Sequence, residues 1–149
     1  MRIIDIKSLT CTITVAFMLA VLVSDAHADS ATWNGAANGD WSDSGNWIGS
    51  PATVPGTGDS ATFDGAGNNN TTVSLGAGVT IQNIVFDSTN AASYQIGAFG
   101  TGVETLTLDG GSMITLSSTL TNAQIFDAKI DLQTGGGSYT VTNASEATL

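Results

Sequence analysis

Three short segments of this chain share one pattern and recur at nearly equal spacing. Each begins with two apolar residues that are separated by one residue. A polar residue, a turn, a serine and a second short strand follow. The first apolar residues of the segments, Ile84, Leu106 and Ile130, lie 22 and 24 residues apart. Such a period is typical of solenoids, whose units bury an apolar face only by stacking on neighbours. The spacing predicts a parallel β-helix. The alternative is a β-sandwich with strands about every 8–12 residues.

The sequence around these segments also favours β-structure. Short patches alternate apolar and polar residues and are rich in Thr, Val, Ile and Tyr, while Gly, Asn, Asp and Ser separate them. The predicted strands are 72–75, 81–86, 94–96, 106–108, 113–116, 130–132 and 139–141. Residues 122–132 are the one helix candidate, but they lack caps, so we interpret them as strand and turn. The predicted class is all-β.

The first 28 residues have the three parts of a secretory signal peptide. Arg2 and Lys7 form a positive head, residues 9–23 are mostly apolar, and Ala26-His27-Ala28 matches the motif before a cleavage site. The apolar run is shorter than the roughly 20 residues that a membrane-spanning helix needs. We expect cleavage after Ala28, export, and no transmembrane helix in the mature chain.

The chain that follows residue 28 has few reactive side chains. Every Arg, Cys and His precedes residue 29, and Lys129 is the only lysine after it. This composition excludes disulfides, Cys/His zinc sites and Ser–His or Cys nucleophiles in residues 29–149. The whole chain has a formal charge of −10, which argues against a nucleic-acid partner.

Residues 29–70 contain all three tryptophans: Trp33, Trp41 and Trp47. A solenoid needs a cap over its first coil, and large rings between Gly and Asn residues suit a compact core. We therefore predict a Trp-rich cap in residues 29–70, followed by the β-strand repeat in residues 71–149. The alternative is that the three rings lie exposed in a row and stack on sugar rings.

The predicted cap resembles the entry segment of a bacterial family. The matching runs are Ala31-Thr32-Trp33-Asn34-Gly35, residues 39–47 from Gly39 to Trp47, Val54-Pro55 and Asp59-Ser60-Ala61-Thr62-Phe63-Asp64. They are similar to the start of large exported β-helix proteins with autotransporter-associated β-strand repeats. The resemblance covers about residues 31–142. It implies a right-handed parallel β-helix at the cell surface or outer membrane of a Gram-negative bacterium, or secreted from it.

That family has no shared catalytic motif to transfer, and its members usually carry many more coils. We therefore expect this chain to be an N-terminal fragment of an autotransporter-like passenger. The alternative is an unusually short product.

Oxygen-bearing side chains cluster in the predicted cap, where a Ca²⁺ ion is one interpretation. They are Asp40, Ser42, Asp43, Ser44 and Asn46. The complete calcium loop and its bidentate Glu are missing, so Asx turns explain the cluster better. We predict no other metal or cofactor.

Some β-helix proteins cleave polysaccharides, so catalysis needs a direct test. Pectate lyases of this fold use calcium-assisted proton abstraction by Arg, and polygalacturonases use clustered Asp with a nearby His. Residues 29–149 contain neither Arg nor His. Paired carboxylates are left, as Asp127 with Asp131 or Asp87 with Glu104, but the sequence marks neither pair as coupled. We predict that the chain is not an enzyme.

The sequence predicts a non-enzymatic, exported β-helical protein with a structural or adhesive role. Its expected partners are a surface polysaccharide or a host or matrix surface. The alternative is a small secreted carbohydrate-binding module that uses Trp33, Trp41 and Trp47.

Overall fold

The computed structural model describes residues 29–49, 53–134 and 137–149, which are nearly all β-structure and turns. The predicted signal peptide lies outside these ranges. The strands are β1 (Ser30–Trp33), β2 (Trp47–Ile48), β3 (Ser60–Phe63), β4 (Thr72–Val73), β5 (Val79–Phe86), β6 (Gln95–Ile96), β7 (Thr105–Leu116), β8 (Ile125–Phe126), β9 (Lys129–Leu132) and β10 (Thr140–Asn143). Two 3-10 turns, Ser44–Asn46 and Gly67–Asn69, are the helical segments of the described residues. The all-β prediction is confirmed.

The strands pair in parallel, so the chain winds into about four stacked coils. One sheet has the order β10-β7-β5-β3-β1-β2, with β9 also on β7, and a smaller sheet has the order β4-β6-β8. Among the described strands, β1 and β2 form the one antiparallel pair. The predicted parallel β-solenoid is confirmed. The β-sandwich alternative is wrong, because the sheets of a sandwich are built from antiparallel strands.

The predicted repeat is right at one position and wrong at another. Leu106 lies opposite Ile130 in the β7–β9 pair, as the repeat requires. Ile84 lies opposite Ile114 instead of Leu106. The reason is that β7 covers two faces of the coil: its first half pairs with β9 and its second half with β10. The segment that begins at Ile84 belongs to the second face.

Inward side chains at paired positions stack into columns that fill the coils. Ala61, Ile84 and Ile114 form one such column and are fully or almost fully buried. Next to it, the ring of Phe63 lies 5.2 Å from that of Phe86 and 4.9 Å from that of Tyr94, between ring centroids. These contacts make one continuous core along the solenoid.

Strand β2 closes the first coil. It pairs with the outer edge of β1, where Trp33 lies opposite Trp47. On its other side β1 pairs with β3, and β3 pairs with β5. Residues 29–70 therefore add strands to the same sheet as residues 71–149, and the cap and the coils share one core. The described part of the chain has no helix long and apolar enough to cross a membrane.

Replacing Phe63 should destabilise the whole fold, because its ring contacts both the cap and the coils. We expect Phe63→Ala to lower the free energy of unfolding by about 3–5 kcal/mol, as for other buried aromatic residues. Urea titration followed by tryptophan fluorescence measures this change. The matched control is Phe99→Ala, since Phe99 is 70% exposed and its loss should cost less than about 0.5 kcal/mol. Equal effects of the two substitutions would contradict the assigned core.

Candidate functional site

The structure places the three tryptophans together inside the cap. Each side chain is at most 3% exposed. The ring centroids of Trp33 and Trp41 lie 5.0 and 4.8 Å from that of Trp47, both in edge-to-face arrangements. Each indole N–H donates to a backbone carbonyl: Trp33 to that of Asn70, Trp41 to that of Pro55 and Trp47 to that of Trp41. The rings fill a core, and this arrangement leaves no ring face open for stacking on a sugar.

Two members of the oxygen cluster of the cap, Asp43 and Asn46, are engaged in local hydrogen bonds. Asp43 caps the 3-10 turn through Oδ1, which accepts from the amide of Gly45, and its Oδ2 accepts from Asn38. Asn46 is fully buried and its Oδ1 accepts from the amides of Ala37 and Asn38. Within the described ranges, no three His, Cys, Asp or Glu residues form a group that could hold a metal ion.

The carboxylates considered for catalysis have separate partners. Asp87 accepts from the hydroxyl of Thr119, and Asp127 accepts from the side-chain amide of Gln95. Asp131 forms an ion pair with Lys129 at 2.8 Å. In the structure, each of these three acids bonds to a group other than the acid considered as its catalytic partner.

The remaining acid, Glu104, has a role that the sequence did not reveal. Its side chain is 3% exposed and lies directly before β7. Oε1 accepts from the hydroxyl of Ser74 at 2.8 Å and from the amides of Leu75 and Gly76 at 3.1 and 2.9 Å. Oε2 accepts from the amide of Ala98 at 2.7 Å. One carboxylate thus ties the turn after β4 to the loop after β6.

These contacts set the ionisation of Glu104. Burial raises the pKa of its carboxyl, but hydrogen bonds from Ala98, Ser74, Leu75 and Gly76 outweigh burial and hold the pKa below its ordinary value. The partners on the earlier turn lie 28 to 30 residues away in sequence. Such a distance leaves no local pattern, which is why sequence reasoning considered Glu104 only as a possible partner of Asp87.

The last coil differs from the earlier coils in that its core-type side chains are uncovered. Among the described strands, β8, β9 and β10 each pair with a strand on one side only, and we call their other edges the open coil end. Next to β8, the amide of Gln124 donates to the carbonyl of Thr148, so the chain itself bonds to this part of the end. In the column below it, Leu106, Leu108 and Ile114 are buried. The residues opposite them on the open coil end are Ile130, Leu132 and Val141, which are 42%, 53% and 56% exposed.

The edge of β9 carries backbone groups and charges as well as apolar side chains. The amides of Lys129 and Gln133 donate to the carbonyls of Glu104 and Leu108, towards β7. Successive amides of a strand point in opposite directions, so those of Ile130 and Leu132 point away from β7. Lys129 is the only basic residue in the described ranges. The open coil end therefore combines free strand edges, apolar side chains and one charge pair.

No protein-family model, no curated protein and no solved structure matches this chain. Its function must therefore be argued from its own geometry.

Replacing Glu104 tests whether its carboxylate holds the two turns together. Glu104→Gln keeps the shape of the side chain but replaces one acceptor oxygen with an amide nitrogen, which donates and cannot accept. At pH 7 we expect the free energy of unfolding to fall by about 1–3 kcal/mol, measured by urea titration. The control is Glu146→Gln, since Glu146 is the other glutamate and is exposed. No difference between the two variants would contradict this role.

The lowered pKa of Glu104 also predicts how the stability of the fold changes with pH. Because the pKa of Glu104 is lower in the folded chain than its ordinary value of 4.5, the unfolded chain binds the proton more readily. The stabilisation is complete above the ordinary pKa and is lost as the pH falls through the lower pKa of the folded state. The difference in unfolding free energy between wild type and Glu104→Gln should therefore shrink on acidification below pH 4.5. A difference that stays constant would contradict the stated ionisation.

Proposed function

We propose that this chain is an exported β-solenoid protein with a structural or adhesive role at or beyond the surface of a Gram-negative cell. The observation that carries the proposal is the open coil end. Its apolar residues occupy core positions, yet nothing in the described structure covers them. Free strand edges readily pair with another chain, so an end of this kind favours assembly with a further β-structure.

The outer surface supports the adhesive part of the proposal. Outward positions of the long sheet form two mostly polar columns along the solenoid, each with one apolar member, Met113 in the first and Val85 in the second. One column contains Ser30, Ser60, Asn83, Met113 and Thr140, and the other contains Thr32, Thr62, Val85, Thr115 and Thr142. Hydroxyl and amide groups in a flat row can hydrogen-bond to a polysaccharide or to a host or matrix surface. Such contacts need no catalytic group.

Two further observations favour a non-enzymatic role over the alternatives considered. The acids proposed as catalytic pairs have separate hydrogen-bond or ion-pair partners. The tryptophans proposed as a carbohydrate-binding platform are buried. We therefore do not propose a carbohydrate-binding module built on Trp33, Trp41 and Trp47.

Expression of the full chain in a Gram-negative host tests the export on which the proposal depends. We expect cleavage after Ala28, seen as a mature N-terminus at Asp29 by intact mass, and recovery of the product outside the cytoplasm. The control is Ala28→Leu, which replaces the small residue that signal peptidase requires and should leave the leader attached. A wild-type chain that stays uncleaved in the cytoplasm would contradict the proposal.

A further inference from the structure

We propose that the open coil end binds a second copy of this chain, with the two β9 strands antiparallel about a two-fold axis at Ile130. This inference deepens the proposed structural role by naming the partner. It does not depend on export, because it concerns the folded chain alone.

The charges on β9 favour this arrangement. Lys129 and Asp131 lie on either side of Ile130 and share the outward face, opposite Thr105 and Thr107 of β7. In an antiparallel pair centred on Ile130, each Lys129 lies opposite Asp131 of the second copy. A parallel, in-register pair would instead set lysine against lysine and aspartate against aspartate, which is unfavourable. The strand is therefore self-complementary in the antiparallel direction only.

The backbone of β9 fits the same register. The amide and carbonyl groups of Ile130 point away from β7, so they are free to bond to those of Ile130 in the second copy. This makes Ile130 a hydrogen-bonded pair and brings Leu132 opposite Ala128 of the second copy. Ala128 is already buried, and its amide donates to the carbonyl of Ile96. The apolar surface that the pairing would newly cover is that of Ile130 and Leu132, which are 42% and 53% exposed.

The opposite end of the described solenoid differs, because its edge strand is the two-residue β2, whose Ile48 is 59% exposed. Strand β2 already pairs with the outer edge of β1, and the three tryptophans beneath it are buried. Head-to-tail stacking would have to displace β2. Open end against open end pairs the two β9 edges and leaves β2 in place.

Two copies with a formal charge of −10 each repel one another. At physiological ionic strength the Debye length is about 8 Å, so charges elsewhere on the surface are largely screened. The close pairs between Lys129 and Asp131 are affected less. The association should therefore be measured at physiological salt.

Analytical ultracentrifugation tests the association. The sample is the product of the full sequence, in whatever form the host produces it, with the leader cleaved or retained. We expect wild type to reach twice the mass of one chain as its concentration rises. Ile130→Asp should remain a monomer, because it places a carboxylate on the two-fold axis. Val103→Asp is the matched control, since Val103 is 66% exposed and lies outside the open coil end, and it should dimerise like wild type. At concentrations low enough for wild type to be a monomer, both variants should keep the unfolding midpoint of wild type, because Ile130 and Val103 are 42% and 66% exposed.

A charge exchange tests the register. Lys129→Asp or Asp131→Lys alone sets like charges against each other and should weaken the dimer. The double variant, with both substitutions, restores an opposite-charge pair in the proposed register and should recover the dimer. Failure of the double variant to recover it would overturn the register.

Disulfide trapping gives a second, independent measure of the register, in a Cys11→Ser background. Opposed Cα atoms of a hydrogen-bonded antiparallel pair lie about 5.5 Å apart, within disulfide reach. Ile130→Cys should therefore oxidise to a covalent dimer. Leu132→Cys should stay unlinked, because its two copies are offset by four residues, about 13 Å.

A wild-type chain that stays monomeric at the highest attainable concentration would overturn the proposal and favour a further coil of a different chain as the occupant. A dimer that survives Ile130→Asp would also overturn it. Neither result bears on export, so failure of this inference and failure of the proposed export are distinguishable.

Discussion

The structure depends on one constraint: a coil of this solenoid buries its inward side chains only against the coils above and below it. Ile84 is fully buried because Ala61 lies on one side of it in the sheet and Ile114 on the other. Among the described residues, the first and last coils each lack a complete neighbouring coil. At the first coil, β2 and the tryptophan cluster replace the missing neighbour. At the last coil, within the described ranges, Thr148 bonds only to Gln124, beside β8, while the core-type side chains of β9 and β10 face water.

The class of fold was predictable because its cause is local. Alternation of apolar and polar residues, β-branched composition and frequent glycine indicate short strands whatever lies next to them. The match of Leu106 with Ile130 was also predictable, since both begin an apolar-x-apolar unit on the same face. The position of Ile84 was not, because coil neighbours are separated by 23 residues at Ser60 and Asn83 but by 30 at Asn83 and Met113. Loops of unequal length hide the true period.

The functional features were harder to predict, for two different physical reasons. Glu104 is held by groups from another coil, so its burial is a product of the fold and leaves no pattern in the neighbouring sequence. The exposure of Ile130, Leu132 and Val141 has the opposite origin. Their sequence is that of buried residues, and only the stacking order shows that they lie at an end. The sequence left two interpretations of the tryptophans open, a core and a sugar-stacking surface, and their burial assigns them to the core.

The solenoid thus consists of a closed end, a continuous core and an open coil end at which assembly is proposed. Its outer columns are mostly polar, and its only cation in the described residues lies on the strand that we propose as the contact. Shape and edge chemistry, rather than a catalytic group, are what this chain presents to a partner.

Amide hydrogen exchange across a dilution series tests this account most directly. The amides of Ile130 and Leu132 should exchange freely when the chain is dilute and become protected as it is concentrated. Those of β7, which lies inside the sheet, should be protected throughout. Exchange at Ile130 and Leu132 that is equally fast at every concentration would contradict assembly through the open coil end.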